Sequence, residues 1–429
     1  MGFWRSDFKE GDIQCILKKC KEIRSVGKDG IVNFSVFHHH PLEAILASAI
    51  EFDVRTEALK TRILRKTLNS PDLPNDFTEN DFRGVVWKMR AECQNQSPFW
   101  RVVFPIWNKP AFLAGMRRID DATINFSPSV KTPKFKRIEL ARARQRTRPE
   151  FRRHFDDAKA AQLDQCSICV VRVMAHTHHE AYERAADLLY GTLGLINIAA
   201  DSCKGGRMSG GPYPRPVSDV LVAPHVTAHS DNGALAFEGF WHENWPVTSL
   251  QPLSGNGIDA LQESYEPLAR AADRSPWSRK CRSAAARYFK AFSNPNLNES
   301  FMDGWRLMEH VAGPRDDSTE DKIKRVSNAS GNRAWWRTFG KHLLIRRNMI
   351  THETPIGIQY QDQETLAFQM LGFIRPYLIE YIRNRYSLTD EKEFWELLEI
   401  TDQPGVCEEE ESSCRRRLRL LEMAKNRYR

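Results

Sequence analysis

Apolar residues recur every three or four positions through most of residues 11–70, in IQCILKKCKEI, PLEAILASAIEF and EALKTRILRKTL, and that spacing predicts helices. SPDLPNDFTENDF interrupts the pattern, with Thr78 and Asn80 placed to cap another short helix. The period then changes. FWRVVFPIW, ATINFSPS and CSICVVRVMAH read as strands, while the segment at 131–160 reads as a charged helix. HEAYERAADLLYGTLGLINIAA returns to a helical period, with Ala and Leu on one face. After a glycine-rich connection, CKGGRMSGGPYPRP, two more strands are expected in VSDVLVAPHVTAH and ALAFEGFWHENW.

Past residue 255 the strand signals stop. Helices are expected at 257–272, 275–292, 298–311, 318–328, 332–352 and 361–386, separated by SNPNLN, AGPRDDS, NASGN and ETPIG. The expected fold class is an α+β N-terminal region followed by an all-α helical bundle. By pattern the chain divides into a helical segment at 1–95, an α+β region at 96–250, a helical region at 255–390 and a charged helix or tail at 391–429. The tail sets an acidic run at 408–411 against the basic CRRRLRLLEMAKNRYR.

Composition narrows the class. The 429 residues are 41% hydrophobic and 28% charged, as in a water-soluble globular chain with room for two or three domains. No apolar run approaches the ~18 residues that a membrane helix requires, so no membrane partner is expected. MGFWRSDFKEG lacks the apolar core of a secretory signal, and its match to Met-Gly-x-x-x-Ser is a pattern common by chance. Nine scattered cysteines, an odd number, argue for a reducing compartment, so the expected location is cytoplasmic.

Charge adds a candidate surface. The formal net charge is +8, and the window 131–153 alone carries that whole excess. Its basic residues are Lys131, Lys134, Lys136, Arg137, Arg142, Arg144, Arg146, Arg148, Arg152 and Arg153, against Glu139 and Glu150. Charge so concentrated attracts a polyanion by releasing its counterions. A solvated helix face balanced by acidic neighbours explains the same residues equally well.

Few motifs carry chemistry. CSIC and the nearby HTHHE suggest zinc, but strand residues three apart point to opposite faces, so Cys166 and Cys169 are expected to be buried strand cysteines. His38, His39 and His40 fall at a turn before Pro41 and are expected at the surface. CKGGRMSGG lacks the GxxxxGK[ST] order, and no GxSxG, HExxH or kinase set is present. The expectation is therefore no metal and no cofactor.

RRNMITHE, at 346–353, is different. On a helix Asn348 and His352 share a face, and Arg347 lies about 140° round from His352, within reach of a long side chain. Pro355 ends the helix, which puts His352 in its last turn, where the negative dipole end raises an imidazole pKa and a neighbouring arginine lowers it. A histidine near neutral pKa beside a guanidinium suits RNA cleavage through the 2′-OH. One group takes the 2′-OH proton, another protonates the leaving 5′-oxygen, and the cation stabilises the charge on phosphorus. A single histidine performs only one of the two transfers in one step, so a second copy of the chain would complete the site. A cationic last turn that merely neutralises the helix dipole is the plainer explanation.

Arg347-Asn348-x-x-x-His352, late in an all-helical region, resembles the R-x4-H motif of the HEPN superfamily. FMDGWRLMEHV, following AARYFKAFSNPN, is similar to a helix of the Apea-like branch, and VVRVMAHTHHEAYERAADLLYGTLGLINIA resembles the strand–helix unit that precedes such modules. The resemblance covers roughly 257–386, less firmly 165–200, and hardly the first 95 residues. It implies a metal-independent endoribonuclease, active as a homodimer and regulated as an effector in bacterial antiphage defence or a toxin system. It further implies that Arg347 stabilises the scissile phosphate, His352 acts as base or acid, and Asn348 orients the phosphate or the histidine. Glu309 would hold Arg347 or Arg346. Lys134, Lys136, Arg137, Arg142, Arg144 and Arg146 would recruit RNA or the activating ligand, and Trp335 or Trp336 would stack a base, although at least one of the two tryptophans is expected in the core. An activating or inhibiting partner, protein or nucleic acid, is also implied, and a HEPN fold that only binds RNA or a partner is the alternative.

Overall fold

The computed structural model describes residues 3–27, 29, 31–34, 39–51, 57–95, 98–129, 131–152, 163–201, 216–241, 255–352, 360–400, 408 and 411–420. The glycine-rich connection, residues 153–160 of the charged segment, His38 and the ETPIG break lie outside the described residues, as do the side chains of His39, His40 and His352.

The first 95 residues fold as helices α1 (Glu10–Ile23), α2 (His39–Ala49), α3 (Glu57–Leu68) and α4 (Glu79–Asn95), with an antiparallel hairpin β1 (Arg24–Val26) and β2 (Val32–Phe34) that periodicity did not signal. Their apolar stripes close on a core of their own, which includes Leu17, Leu46, Ile63, Leu64 and Phe82. Thr78 caps α4 as its sequence position suggests: its hydroxyl accepts from Asp81 N at 3.3 Å, and the Asp81 carboxylate accepts from Thr78 N at 2.8 Å. The helix it starts runs for 17 residues rather than being short.

An antiparallel sheet follows, in the order β4 (Met116–Ile119), β5 (Ala122–Asn125), β6 (Ser167–Met174), β3 (Phe99–Trp107) and β7 (Leu221–Val222), with β8 (Thr227–Ser230) also paired to β3. Alternation along the strands splits its side chains between two faces. Val102, Phe104, Ile124, Cys169 and Val171 face helix α7 (His178–Ala200) and join the main core. Val103, Ile168 and Val170 meet Phe135 and Ile138 of helix α5 (Pro133–Arg146) on the other side. Cys169 is thus buried on the α7 side, whereas Cys166 packs beside Trp107, Leu163 and Leu221.

ALAFEGFWHENW departs from its expected reading. Over 234–241 it forms no strand and touches the sheet only through the bridges His229↔Leu235 and Val226↔Trp241. Its rings dock on the start of α7 instead: Trp241 stacks on Tyr182 at 4.3 Å and Phe237 on His178 at 4.6 Å. Aromatic burial against a helix outweighs the strand propensity of these residues. A one-turn helix α6 (Pro149–Arg152) follows α5.

Six helices carry the region beyond 255: α8 (Gly255–Arg274), α9 (Ser278–Phe292), α10 (Leu297–Val311), α11 (Thr319–Asn328), α12 (Arg333–His352) and α13 (Tyr360–Arg383). Each ends within three residues of its expected bounds, because caps mark the starts: Asn296 accepts from Glu299 N at 3.3 Å and Ser318 from Asp321 N at 3.1 Å. Helix α14 (Glu391–Ile400) then folds back, burying Phe394 against Tyr377 and Tyr381 and accepting from Asn328 Nδ2 at Leu398 O, 2.7 Å. The architecture is an α+β region followed by helices alone, and one hydrophobic core runs from the sheet through α7 and α9 to α13. Among the described residues no helix is long and apolar enough to cross a membrane.

Candidate functional site

Helix α12 starts at Asn332, whose side chain accepts from Trp335 N at 3.3 Å. Its packed stripe runs Trp336, Gly340, Leu343, Arg347, Ile350, a spacing of three and four. Gly340 sits where a Cβ would collide with Ile323 of α11 and Phe373 of α13, which is how α12 seats so closely on both. Trp336 packs into this seam near Phe339 and Phe373, while Trp335 stays 58% exposed, so one tryptophan is core and the other is open to a ligand.

Arg347 falls on the stripe that faces the core, and Arg346 lies about 100° to the side of it. Position on that stripe buries the Nε of Arg347, which has no hydrogen-bond partner, and turns its Nη1 outward to Asn348 Oδ1 at 3.0 Å. Asn348 is exposed and lies between Arg347 and His352 round the helix. Thr351 donates back to Arg347 O at 2.8 Å and steadies the final turn. His352 is the last helical residue. Among the described residues the side-chain partner of Arg347 is the neutral Asn348, and neither Arg346 nor Arg347 meets a carboxylate within ion-pair distance. Ile345 and Met349, 60% and 36% exposed, flank Asn348 on the open face.

Glu309 takes a different role from the one expected. Its carboxylate accepts from Trp305 Nε1 at 2.8 Å, one turn back on α10, and that indole is fully buried. The carboxylate completes a tryptophan rather than an arginine, and the i, i+4 spacing of Trp305 and Glu309 was the signal available for it.

The basic helix α5 is capped by Thr132, which accepts from Phe135 N at 3.3 Å, with Pro133 in the first turn. Phe135, Ile138, Arg142 and Gln145 make its buried stripe, so Lys134, Lys136, Arg137 and Arg144 remain exposed. Arg146 is half-buried and pairs with Asp164 at 3.2 Å. Arg142 leaves the set of candidate RNA contacts, because it is 7% exposed and points into the sheet. Its Nη1 donates to His225 O at 2.8 Å and Thr227 Oγ1 at 2.8 Å, and more distantly to Val103 O at 3.4 Å. Burial pulls its pKa down to about 9, which still leaves a cation at pH 7.

Around Arg142 lies a network of neutral groups. His225, held at φ +76°, places Nε2 at 3.0 Å from Gln145 Oε1, and Gln145 Nε2 donates to Glu238 O at 2.6 Å and Gly239 O at 2.8 Å. Thr227 Oγ1 meets His229 Nε2 at 2.9 Å. Replacing Arg142 with methionine keeps the bulk but leaves the His225 carbonyl without its donor, so a loss of roughly 3 kcal/mol is expected in chemical denaturation. An unchanged midpoint would mean that the guanidinium contributes nothing to the fold.

The two histidines set an acid limit. Burial first, and the Arg142 cation second, lower the pKa of His229 to about 4 and lower that of His225 further still. In the unfolded chain both titrate near 6.5. Between pH 6.5 and 4 the unfolded state therefore holds a proton on each histidine that the folded state refuses, so stability falls with pH, by roughly 3 kcal/mol per histidine across that window. His225 extends the loss below pH 4. Thermal unfolding at pH 7.5, 6 and 5 checks the slope, and His229→Asn reduces it by about half.

No family model, curated protein or solved structure matches the chain. The functional argument therefore rests on the residues themselves. Among the described residues no group of histidine, cysteine or carboxylate side chains converges as metal ligands would.

Proposed function

We propose that the chain is a HEPN-type endoribonuclease that cuts RNA through the 2′-OH without a metal ion, using Arg347, Asn348 and His352 at the end of α12. One observation carries the reading. A half-buried arginine keeps its Nε unpartnered, and no carboxylate compensates either Arg346 or Arg347 among the described residues. The buried Nε anchors the guanidinium in the helix seam, and its outward Nη end, uncompensated by a carboxylate, is the part a phosphate oxygen would meet in a charge-assisted hydrogen bond.

In the proposed reaction, Arg347 and Arg346 hold the scissile phosphate, and Asn348, already bonded to Arg347, keeps the guanidinium turned towards it. His352 takes the 2′-OH proton as the oxygen attacks phosphorus, and a second copy of the chain supplies the group that protonates the departing 5′-oxygen. Lys134, Lys136, Arg137 and Arg144 on the outer face of α5 recruit the strand. The setting implied is a regulated effector of bacterial antiphage defence or a toxin system, restrained by a partner protein or nucleic acid, in the cytoplasm.

One observation favours a second reading, a fold that binds RNA or a partner at the same cationic turn without cutting. Glu309, expected to position the arginine, is engaged by Trp305 instead. Labelled single-stranded RNA and DNA incubated with the wild-type chain in EDTA separate the two. Cleavage of RNA alone supports the nuclease, whereas retention of intact RNA supports the binder.

A further inference from the structure

The α5 face of the sheet holds a second cluster of charge, of which the nuclease reading uses Lys134 alone. Arg101 on β3 and Arg172 on β6 stand directly opposite each other in register, and Lys134 on the first turn of α5 joins them. Like charges placed opposite on neighbouring strands destabilise a sheet. Asp231 offsets part of this, its Oδ1 lying 2.9 Å from both Arg101 Nη2 and Arg172 Nε, while Lys134 Nζ stays 4.0 Å from its other oxygen. The turn carrying Asp231 is pressed on α5 at Gly233, whose φ is +89° and whose missing Cβ makes room for the Lys134 carbonyl. Three cations share one carboxylate, so the cluster keeps an excess of two positive charges. The two Nη groups of Arg172 have no hydrogen-bond partner among the described residues.

These groups open onto a cleft of about 490 Å³ between strands β4, β5, β6 and β3 and the start of α5. Thr123, Asn125, Ser129 and Thr132 give it hydroxyl and amide groups beside the cations. Met116, Pro128, Phe135, Ile138 and Val170 give it an apolar wall, with Met116 70% exposed at the lip. The positive end of the α5 dipole lies on the same side, since Thr132 and Lys134 both line the space. The volume is within the ~300–1,000 Å³ usual for small-molecule sites.

We infer that this cleft binds a small phosphate ester, of the size of a nucleoside monophosphate, with its phosphate between Arg172, Arg101 and Lys134 and its planar body against the apolar wall. An inorganic anion would leave that wall unused. A nucleic-acid strand fits less well: the ring of Phe99 is already covered by Arg172, 3.5 Å away, and Lys136, Arg137 and Arg144 of the same helix do not line the cleft. The inference is independent of α12, none of whose residues contribute.

Isothermal titration calorimetry of the full chain at low salt, with AMP, GMP, CMP, UMP, adenosine and inorganic phosphate, tests it. The expected result is one site that takes at least one monophosphate at least tenfold tighter than either adenosine or phosphate, with affinity falling as salt rises. Lys134→Glu, an exposed change that leaves the fold intact, weakens binding tenfold or more, as does Arg172→Gln, while Lys392→Glu on α14 leaves it unchanged. Absence of binding by all four monophosphates would overturn the inference, as would binding insensitive to both cleft variants or no tighter than that of inorganic phosphate. It would equally be overturned if oligouridylate bound and required the same residues while no monophosphate competed. Because the readout is binding, failure of the nuclease reading leaves this result untouched.

Discussion

Gly194→Ala is expected to lower stability by roughly 3 kcal/mol, as much as the loss of the Arg142 guanidinium. A Cβ at that position would fall inside the van der Waals boundary of the Ala285 carbonyl on α9, and one at Gly191 would lie 3.2 Å from Arg282 O. The two glycines lie three residues apart on α7 and face the backbone of Arg282 and Ala285, so the helices meet backbone to backbone. In a helix interior alanine is favoured over glycine by up to ~1 kcal/mol, but backbone atoms on α9 cannot rotate away as a side chain could. The helices must separate, opening the core that joins sheet to helices. Gly84 on α4 and Gly372 on α13 have open space around the missing Cβ, so alanine there is expected to stabilise. Thermal unfolding of the three variants decides the matter. A Gly194→Ala protein as stable as wild type would contradict the α7–α9 packing.

The second large effect is that expected on the proposed nuclease reaction. His352→Ala is expected to slow RNA cleavage by ~10²–10⁴-fold, the usual contribution of a positioned acid or base. Arg347→Ala removes a cation from the pentavalent phosphorus and is expected to cost on the order of 10²–10³-fold. Arg347→Lys restores charge but not the planar fork, and recovers only a small part of the activity. Arg346 lies to the side of the packed stripe, so Arg346→Ala is expected to weaken substrate binding more than turnover. The variants are read under single-turnover conditions, with folding checked by the unfolding midpoint. Equal losses for Arg346→Ala and Arg347→Ala would remove the distinction drawn between them.

Much of this architecture was legible along the chain. The helices beyond 255 announce themselves because apolar periodicity and local caps agree, as at Asn296 and Ser318, where the side chain three residues before the first free amide is the right one. The long strands β3 and β6 were legible for the same reason. Three short elements were not: β1, β2 and β4, as RSV, VNF and MRRI, are three or four residues long and lie in no apolar run, unlike the equally short β5 and β8. The segment at 234–241 misled because aromatic residues suit a strand and a docking loop equally, and only the position of Tyr182 and His178 decides.

The site was legible in part. Arg347, Asn348 and His352 were singled out by their spacing and by the HEPN resemblance, but the assignment of Arg347 to the core-facing stripe needed Trp336, Gly340, Leu343 and Ile350 to be read with it. Arg142 misled because its charge was read before its place in the repeat Phe135, Ile138, Arg142, Gln145, which is the buried stripe of α5. The partners of the phosphate-ester cleft were out of reach, since Arg101, Arg172 and Asp231 are brought together only by strand register and a turn.

End-group analysis of the RNA products made in EDTA by the wild-type chain and by His352→Ala tests the central claim most directly. The account predicts fragments ending in 2′,3′-cyclic phosphate from the wild type and intact RNA from the variant, because the attacking oxygen is the neighbouring 2′-OH. Fragments ending in 3′-hydroxyl, or cleavage that survives loss of His352, would contradict it.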